Sequence, residues 1–259
     1  MTDGDTRGAQ PLPFPTIRQV DAGAPFRWLK AGWRDLRRAP AASLFYGAAF
    51  AVMGMLLHVY LREDPGVTLG LATGFTLVGP FLAIGLYDIS RRLQEGRPVR
   101  LLETLTAWRA NIGGVGLFAV VFMLVMATWV RVSVVIVALF FSGGMPTMKT
   151  FLAQLLSLDN LAFAAIYVGV GALFATFVYA VSVVSIPLLL DRSIDAITAM
   201  IASFVTLVRN PGTLAVWAAI IVAAIGVGML PFYLGLIVTG PLIGHAAWHA
   251  FRDLVAPAQ

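Results

Sequence analysis

The chain has 259 residues, of which 59% are hydrophobic and 12% are charged, and its mean hydropathy is +0.86. Soluble domains average about 45–50% apolar and about 25% charged residues, so this composition excludes a water-soluble globular protein. The net charge is +5, and most Lys and Arg residues lie beside apolar stretches, which favours anionic lipid headgroups over nucleic acid as partners. The lack of cysteine excludes disulfides and thiolate metal sites.

The first 25 residues contain no apolar run, which predicts a disordered cytoplasmic leader (residues 1–25) without a cleavable signal peptide. The stretch that follows reads FRWLKAGWRDLRR and mixes aromatic with basic residues. A helix of this composition either docks onto an anionic lipid surface, with Trp28 and Trp33 at the interface, or packs beneath its own bundle. The sequence leaves both interpretations open.

Six apolar stretches follow, each close to the roughly 20 residues that a helix needs to cross a bilayer. They predict an all-α, polytopic membrane protein with about six transmembrane helices in a single domain (residues 26–254) and a cytoplasmic tail (residues 255–259). The predicted spans are residues 39–61, 67–89, 112–135, 161–186, 213–232 and 233–250. An amphipathic stretch at residues 145–158 suits a further helix on the outer surface.

The basic residues are distributed unequally between the two sides of these spans. Fifteen of the 18 Lys and Arg residues fall in the termini and in the loops at residues 91–111 and 191–211, which all lie on one side. The opposite side has only Arg62 and Lys149, and Arg131 remains within the third apolar stretch. Because Lys and Arg stay cytoplasmic, the asymmetry predicts that both termini are in the cytoplasm.

One pattern occurs three times along the chain: an amphipathic stretch, then an Arg followed closely by Pro or Asn, then an apolar span. The Arg residues are Arg38, Arg109 and Arg209, each just cytoplasmic of a span start. We therefore predict three repeated units, each with a cytoplasmic amphipathic helix and a transmembrane hairpin. Repeats of this kind build transporters, and they also build proteins that transport nothing.

A second likeness joins the second and the last predicted spans, which align without gaps. The alignment matches Gly79 and Pro80 with Gly240 and Pro241, and a weaker counterpart surrounds Pro187. A Gly-Pro pair inside a span predicts either a kinked helix packed closely through small residues or a helix break that forms a substrate or ion site.

A resemblance to a known family rests on four segments: FRWLKAGWRDLRRAP, the Gly-Pro span ending in LYDISRRLQEG, SIPLLLDRSID and GPLIGHAAWHAFRDL. Together they resemble a bacterial family of predicted integral membrane proteins, catalogued as domain of unknown function 2189. The resemblance covers residues 26–254 and implies a multi-span protein of the bacterial inner membrane. It brings no established activity and no site residues.

Members of such families sometimes carry the label of a cytochrome oxidase subunit. A heme–copper core subunit needs His ligands for two hemes and a copper, whereas this chain has only three histidines: His58, His245 and His249. The chain therefore cannot be a heme–copper core subunit, whereas a peripheral association with a respiratory complex stays open. No bound cofactor is predicted.

The His pair is the clearest candidate for a binding site. His245 and His249 are four residues apart and share one helix face, a spacing that also occurs in zinc sites. Asp88, which aligns opposite His249 in the second likeness, is the obvious acid to join them. The alternatives are packing at the membrane interface beside Trp248 and a role as a proton carrier. Zinc sites add a third ligand and usually a nearby acid, so the pair alone does not predict a metal ion.

Arg131 is the most conspicuous charge within an apolar stretch. If its span begins at Ile112, Arg131 lies about 29 Å along the helix and reaches the outer headgroups. If the span runs from residue 117 to residue 141, Arg131 is buried and marks a cavity for an anionic group. His58, within the first predicted span, is the remaining binding candidate.

The sequence contains no phosphate-binding glycine loop, nucleophile elbow or zinc-protease signature. We therefore expect a non-enzymatic accessory, assembly or interaction factor, with membrane lipids and a larger membrane protein complex as its partners. The first alternative is a small transporter or channel for an ion or an anionic solute. The second is the peripheral partner of a respiratory complex, and an enzyme acting on lipid ranks below both.

Overall fold

The computed structural model describes residues 14–60, 65–141, 146–230 and 232–257. Within these residues the structure is helical and has no strand, and one isolated antiparallel bridge joins Ile17 and Val255. The helices are α1 Ala24–Arg38, α2 Pro40–Tyr60, α3 Pro65–Gln94, α4 Leu101–Leu105, α5 Ile112–Phe140, α6 Met148–Leu155, α7 Leu161–Ser182, α8 Ser185–Asp191, α9 Ala196–Arg209, α10 Pro211–Met229 and α11 Leu236–Leu254. Short 3₁₀ turns at Ala107–Asn111 and Leu158–Asn160 precede α5 and α7.

Four segments of the described chain are long and apolar enough to cross a membrane: Pro40–Val59, Ala107–Phe140, Leu161–Asp191 and Pro211–Met229. They correspond to four of the six predicted spans. The other two predicted spans lie on α3 and α11, and α11 carries His245, His249 and Arg252 in its C-terminal half. The count of six therefore stays a prediction, whereas the all-helical architecture is confirmed.

A helix boundary follows each of the three Arg residues of the repeated pattern. Arg38 ends α1 and Pro40 begins α2, while Arg209 ends α9 and Pro211 begins α10. Proline suits the first position of a helix because its missing N–H would have no helical partner there. At the middle junction, Asn111 caps α5 by accepting a hydrogen bond from a backbone N–H.

Pro187 interrupts its helix, since α7 ends at Ser182 and α8 begins at Ser185. A proline has no N–H to donate to the carbonyl four residues earlier, here that of Val183. Two serines stabilise the interruption: Ser203 accepts a hydrogen bond from the Val184 N–H at 3.4 Å, and Ser185 donates to the Val181 carbonyl at 2.6 Å.

The two Gly-Pro pairs do not break their helices. α3 continues through Pro80, and α11 continues through Pro241. Pro241 leaves the Ile237 carbonyl without its helical N–H donor. A Cβ on Gly47 would lie only 2.0 Å from that oxygen, so the glycine allows α2 to approach α11 closely at this position. The packing interpretation therefore fits the pair on α11.

The structure corrects the prediction of a disordered leader for residues 14–25. The Arg18 N–H donates to the Leu254 carbonyl at 2.7 Å, and the Ala256 N–H donates to the Thr16 carbonyl at 2.9 Å. The Asn210 side chain accepts from the Val20 N–H at 2.9 Å. Composition misses this order because the stabilising partners lie near the other end of the chain. Residues 1–13 of the predicted leader lie outside the described residues.

Candidate functional site

Polar side chains from α1, α2, α3 and α11 meet at one end of the helix bundle. We refer to them as the polar cluster: Asp35, Ser43, Ser90, Gln94, His245, Trp248 and His249. Its two histidines, His245 and His249, come from one face of α11, as their spacing predicts. His245 is fully buried, and Asp35 is 2% exposed. Buried polar groups are costly unless they are hydrogen-bonded, so their partners determine what the cluster can do.

Asp35 and Gln94 hold His249 from two sides. The His249 Nε2 lies 2.7 Å from the Asp35 Oδ2, and its Nδ1 lies 3.2 Å from the Gln94 Nε2. The Trp248 Nε1, which can only donate, donates to the Gln94 Oε1 at 2.9 Å. The Gln94 amide nitrogen therefore faces His249 and donates to Nδ1, and Nε2 carries the proton that is donated to Asp35.

His245 joins two serines on different helices. Its Nε2 lies 2.8 Å from the Ser43 Oγ on α2, and its Nδ1 lies 2.8 Å from the Ser90 Oγ on α3. The Ser43 hydroxyl already donates its single hydrogen to the Ala39 carbonyl at 2.8 Å. The His245 Nε2–H must therefore donate to Ser43, and in the neutral imidazole Nδ1 accepts from Ser90.

Asp35 is held in its charged form although it is buried. Burial by itself raises the pKa of this carboxyl, but the hydrogen bond that His249 donates outweighs burial, and the pKa falls below its ordinary value of 3.8. Asp35 belongs to α1, outside the predicted spans. The cluster therefore contains a stable carboxylate on the surface helix, bound to a histidine of the last helix.

Asp88 is not the acid that joins the His pair, which corrects the expectation from the alignment of the second predicted span with the last. It is fully buried and lies 2.6 Å from the Arg91 Nη2 and 2.7 Å from the Arg92 Nε. Arg92 also contacts Glu103. These pairs form locally because residues three and four positions apart lie on one side of a helix.

The sequence interpretation missed Asp35 as a site residue, although a signal for it exists. Asp35 is the only acid in α1, and it shares the buried helix face with Trp28, Gly32 and Leu36. An acid on the apolar face of a basic helix needs a buried partner. The identity of that partner, His249, could not be read from the sequence because 214 positions separate the two residues.

The structure does not bring the other candidates to the polar cluster. Arg131 is exposed on α5. His58 is exposed near the opposite end of α2, about 22 Å along the helix from Ser43, with its ring 5.8 Å from that of Tyr233. The three junction arginines, Arg38, Arg109 and Arg209, are also exposed.

The polar cluster is closed, because its members use their hydrogen-bonding groups on one another. Among the described residues, the buried side-chain nitrogen and oxygen atoms without a partner are Arg91 Nε, Arg192 Nε and Thr239 Oγ1, none of which belongs to the cluster. The described residues also contain no group of three His, Asp or Glu placed to hold a metal ion. Chemically, the arrangement links α1, α2, α3 and α11 to one another.

The chain has apolar helices of spanning length, and its polar cluster is confined to one end of the bundle. These features are typical of integral membrane proteins. Residues 67–191 match the family model described as "Predicted integral membrane protein (DUF2189)", which confirms the resemblance of the sequence motifs over these residues. His245 and His249 lie C-terminal to the matched residues. No curated protein and no solved structure matches the chain.

Proposed function

We propose that this is a six-span protein of the bacterial inner membrane that acts without catalysis, through contacts with lipids and other membrane helices. Its role is that of an accessory or assembly factor for a larger membrane complex. The observation that carries this proposal is the polar cluster, in which the buried His245, Asp35 and serines and the partly buried His249 bind one another rather than line an open cavity.

The surface of the apolar helices supports a role based on contacts. Large apolar side chains are exposed along α5 and α7, among them Leu124, Leu139, Leu173 and Phe177, which are 51–77% exposed. A monomeric soluble protein rarely exposes a continuous apolar surface of this kind. In a bilayer, acyl chains and neighbouring helices cover such side chains.

The distribution of charge supports cytoplasmic termini. The basic helix α1, the C-terminal end of α3 and the start of α10 all lie at the end of the bundle that contains the polar cluster, while Lys149 belongs to α6 after the far end of α5. This end would therefore face the cytoplasm under the positive-inside rule. The repeated units of surface helix and hairpin are part of the same proposal.

A small transporter is the second candidate, favoured by the interruption between α7 and α8. Interrupted helices form substrate sites in many transporters. Here, however, the Val181 carbonyl and the Val184 N–H at the interruption are bound by Ser185 and Ser203, and Arg131 is exposed rather than facing a polar cavity. Both facts favour a structural interruption.

The experiment combines purification with a flux measurement. The tagged protein, extracted from its own membranes in mild detergent, is expected to co-elute with one membrane complex at a fixed ratio or with tightly bound lipid. Reconstituted into liposomes, it should not raise proton or anion flux above that of empty liposomes. A monodisperse protein without partner or lipid, or flux that is lost in Arg131→Gln or His245→Ala, would contradict the proposal.

A further inference from the structure

Helix α1 has one buried face and one basic, aromatic face. Trp28, Gly32, Asp35 and Leu36 are buried against the bundle. The opposite face exposes Phe26, Lys30, Trp33, Arg34, Arg37 and Arg38. Two large aromatic side chains are unusually open here, since Phe26 is 63% exposed and Trp33 is 45% exposed. The helix thus separates the two interpretations left open by the sequence: Trp28 packs beneath the bundle, and Trp33 faces outwards.

The buried face fixes the rotation of α1 about its axis. The Trp28 ring packs edge-on against Trp217 of α10 with 5.6 Å between ring centroids, and its Nε1 donates to the Asp253 Oδ2 at 2.9 Å. A Cβ on Gly32 would lie 2.7 Å from the Ala246 backbone nitrogen, so α1 and α11 are in close contact. The exposed face is therefore presented in one orientation.

The cations on this face differ in their pairing from others at the same end of the bundle. Within the described chain, Lys30, Arg34, Arg37 and Arg38 form no salt bridge. Arg27, at the edge of the face, pairs with Asp21 at 2.6 Å. By contrast, carboxylates pair with the following arginines elsewhere at this end: Arg91, Arg92, Arg97, Arg100, Arg192 and Arg252.

The unpaired cations line a groove of about 740 Å³ together with Arg27, Ala31 and Trp33. Only Ala39 separates Arg38 from α2, which is long and apolar enough to cross a membrane. The groove therefore lies at the level where lipid headgroups would surround the end of α2. Aromatic rings favour this level, and Lys and Arg side chains are attracted to lipid phosphates there.

We propose that the exposed face of α1 binds the headgroups of anionic phospholipids, with phosphate oxygens among Lys30, Arg34, Arg37 and Arg38, and Trp33 and Phe26 at headgroup depth. Four cations that form no salt bridge with the described residues complement an anionic surface rather than a zwitterionic one. This proposal names the lipid class for the contacts of the proposed function and rests on its placement of α1 at the inner leaflet.

The test measures lipid binding to the full-length protein in a neutral detergent by native mass spectrometry. Phosphatidylglycerol and phosphatidylcholine with identical acyl chains are titrated separately. The triple variant Lys30→Gln/Arg34→Gln/Arg37→Gln removes three exposed cations of the groove. The matched control Arg97→Gln/Arg100→Gln/Arg109→Gln removes the same charge at the same end of the bundle but outside α1.

Each Lys or Arg near an anionic surface strengthens binding about fivefold. We therefore expect the wild type to prefer phosphatidylglycerol, the triple variant to lose at least about tenfold in that preference, and the control to change by less than about twofold. In the wild type the preference should weaken as salt rises from low to high concentration. Glycerol 3-phosphate, which has the charge but no acyl chains, should not compete.

Equal binding of both lipids by the wild type, or an undiminished preference in the triple variant, would overturn the proposal. Full competition by glycerol 3-phosphate would indicate a site for soluble phosphate instead of a lipid surface. If the triple variant does not fold, the salt dependence of the wild type decides. This proposal and the proposed function can fail separately. Loss of the lipid preference without any flux in liposomes would contradict only the lipid-binding proposal. Flux in liposomes with an intact lipid preference would contradict only the proposed function.

Discussion

Asp35 connects the surface helix α1 to the last helix of the bundle. Its carboxylate is 2% exposed and lies 2.7 Å from the His249 Nε2, which Gln94 holds from the other side. A hydrogen bond to a charged group contributes about 1.5–3 kcal/mol, roughly twice the contribution of a neutral one. This single contact therefore contributes to the position of α1, and with it to the orientation of its exposed cations.

The lowered pKa of Asp35 predicts a specific dependence of stability on pH. Because the folded-state pKa lies below the ordinary value of 3.8, the carboxylate stabilises the fold above that value, and the contribution is lost as the pH falls through the folded-state pKa. The thermal midpoint in detergent should therefore fall as the pH is lowered from 5 towards 3. Asp35→Asn should be less stable at pH 7, by about 1–3 kcal/mol, and should show a smaller fall.

The control for this measurement is Glu95→Gln, which removes an exposed carboxylate at the same end of the bundle. It should follow the wild-type curve. An Asp35→Asn protein whose midpoint falls with pH as steeply as that of the wild type would contradict the assignment of Asp35.

Two long helices, α2 and α11, pack along each other through small residues. Gly47 faces the Ile237 carbonyl that Pro241 leaves without a helical donor, and Gly240 faces the Phe50 ring. Small residues at a helix interface permit close approach of the backbones, which increases the van der Waals packing that helps to drive helix association in lipid. The Gly-Pro pair on α11 therefore acts together with a glycine on its neighbour.

Gly47→Ala should weaken this interface, because its Cβ would lie 2.0 Å from the Ile237 oxygen and the helices would have to separate. We expect a loss of about 1–3 kcal/mol in unfolding free energy, measured by thermal or detergent-induced unfolding. The matched control is Gly116→Ala on α5, where a Cβ would meet no heavy atom within 4 Å.

Gly116→Ala should leave stability unchanged or raise it by up to about 1 kcal/mol, since alanine favours the helix. Equal effects of the two substitutions would show that the contact between α2 and α11 does not depend on Gly47. A stabilising effect of Gly47→Ala would exclude the packing role of the pair at Gly240 and Pro241.

Local physics made much of the architecture predictable from the sequence. The predicted first span, residues 39–61, agrees closely with α2, because apolar length and a starting proline are properties of the segment itself. The prediction for residues 161–186 is less accurate: Pro187 interrupts the helix a few residues earlier than expected. A proline removes a hydrogen bond one turn before its own position, and this displacement explains the difference.

Contacts between distant parts of the chain could not be predicted. The extended segment around Ile17 is ordered by the backbone near Val255 and by Asn210, and no local pattern marks it. Likewise, the repeat alignment paired Asp88 with His249, but local arginines bind Asp88 and α1 supplies the acid. Partners of buried polar groups depend on tertiary packing, which a single sequence does not reveal.

At the scale of the whole molecule, we propose a six-span protein whose polar cluster and basic helix α1 face the cytoplasm. The chain contains no cysteine, so single cysteines can report the side of the membrane without a background signal. Glu95→Cys and Ser193→Cys lie at the proposed cytoplasmic end, and Lys149→Cys lies at the opposite end.

The most direct measurement is labelling of these three variants in intact cells with a membrane-impermeant maleimide, followed by labelling after the membrane is opened. We expect Lys149→Cys to react in intact cells, whereas Glu95→Cys and Ser193→Cys should react only once the membrane is opened. Reaction of Glu95→Cys or Ser193→Cys in intact cells, or protection of Lys149→Cys, would contradict the proposed orientation of the bundle in the membrane.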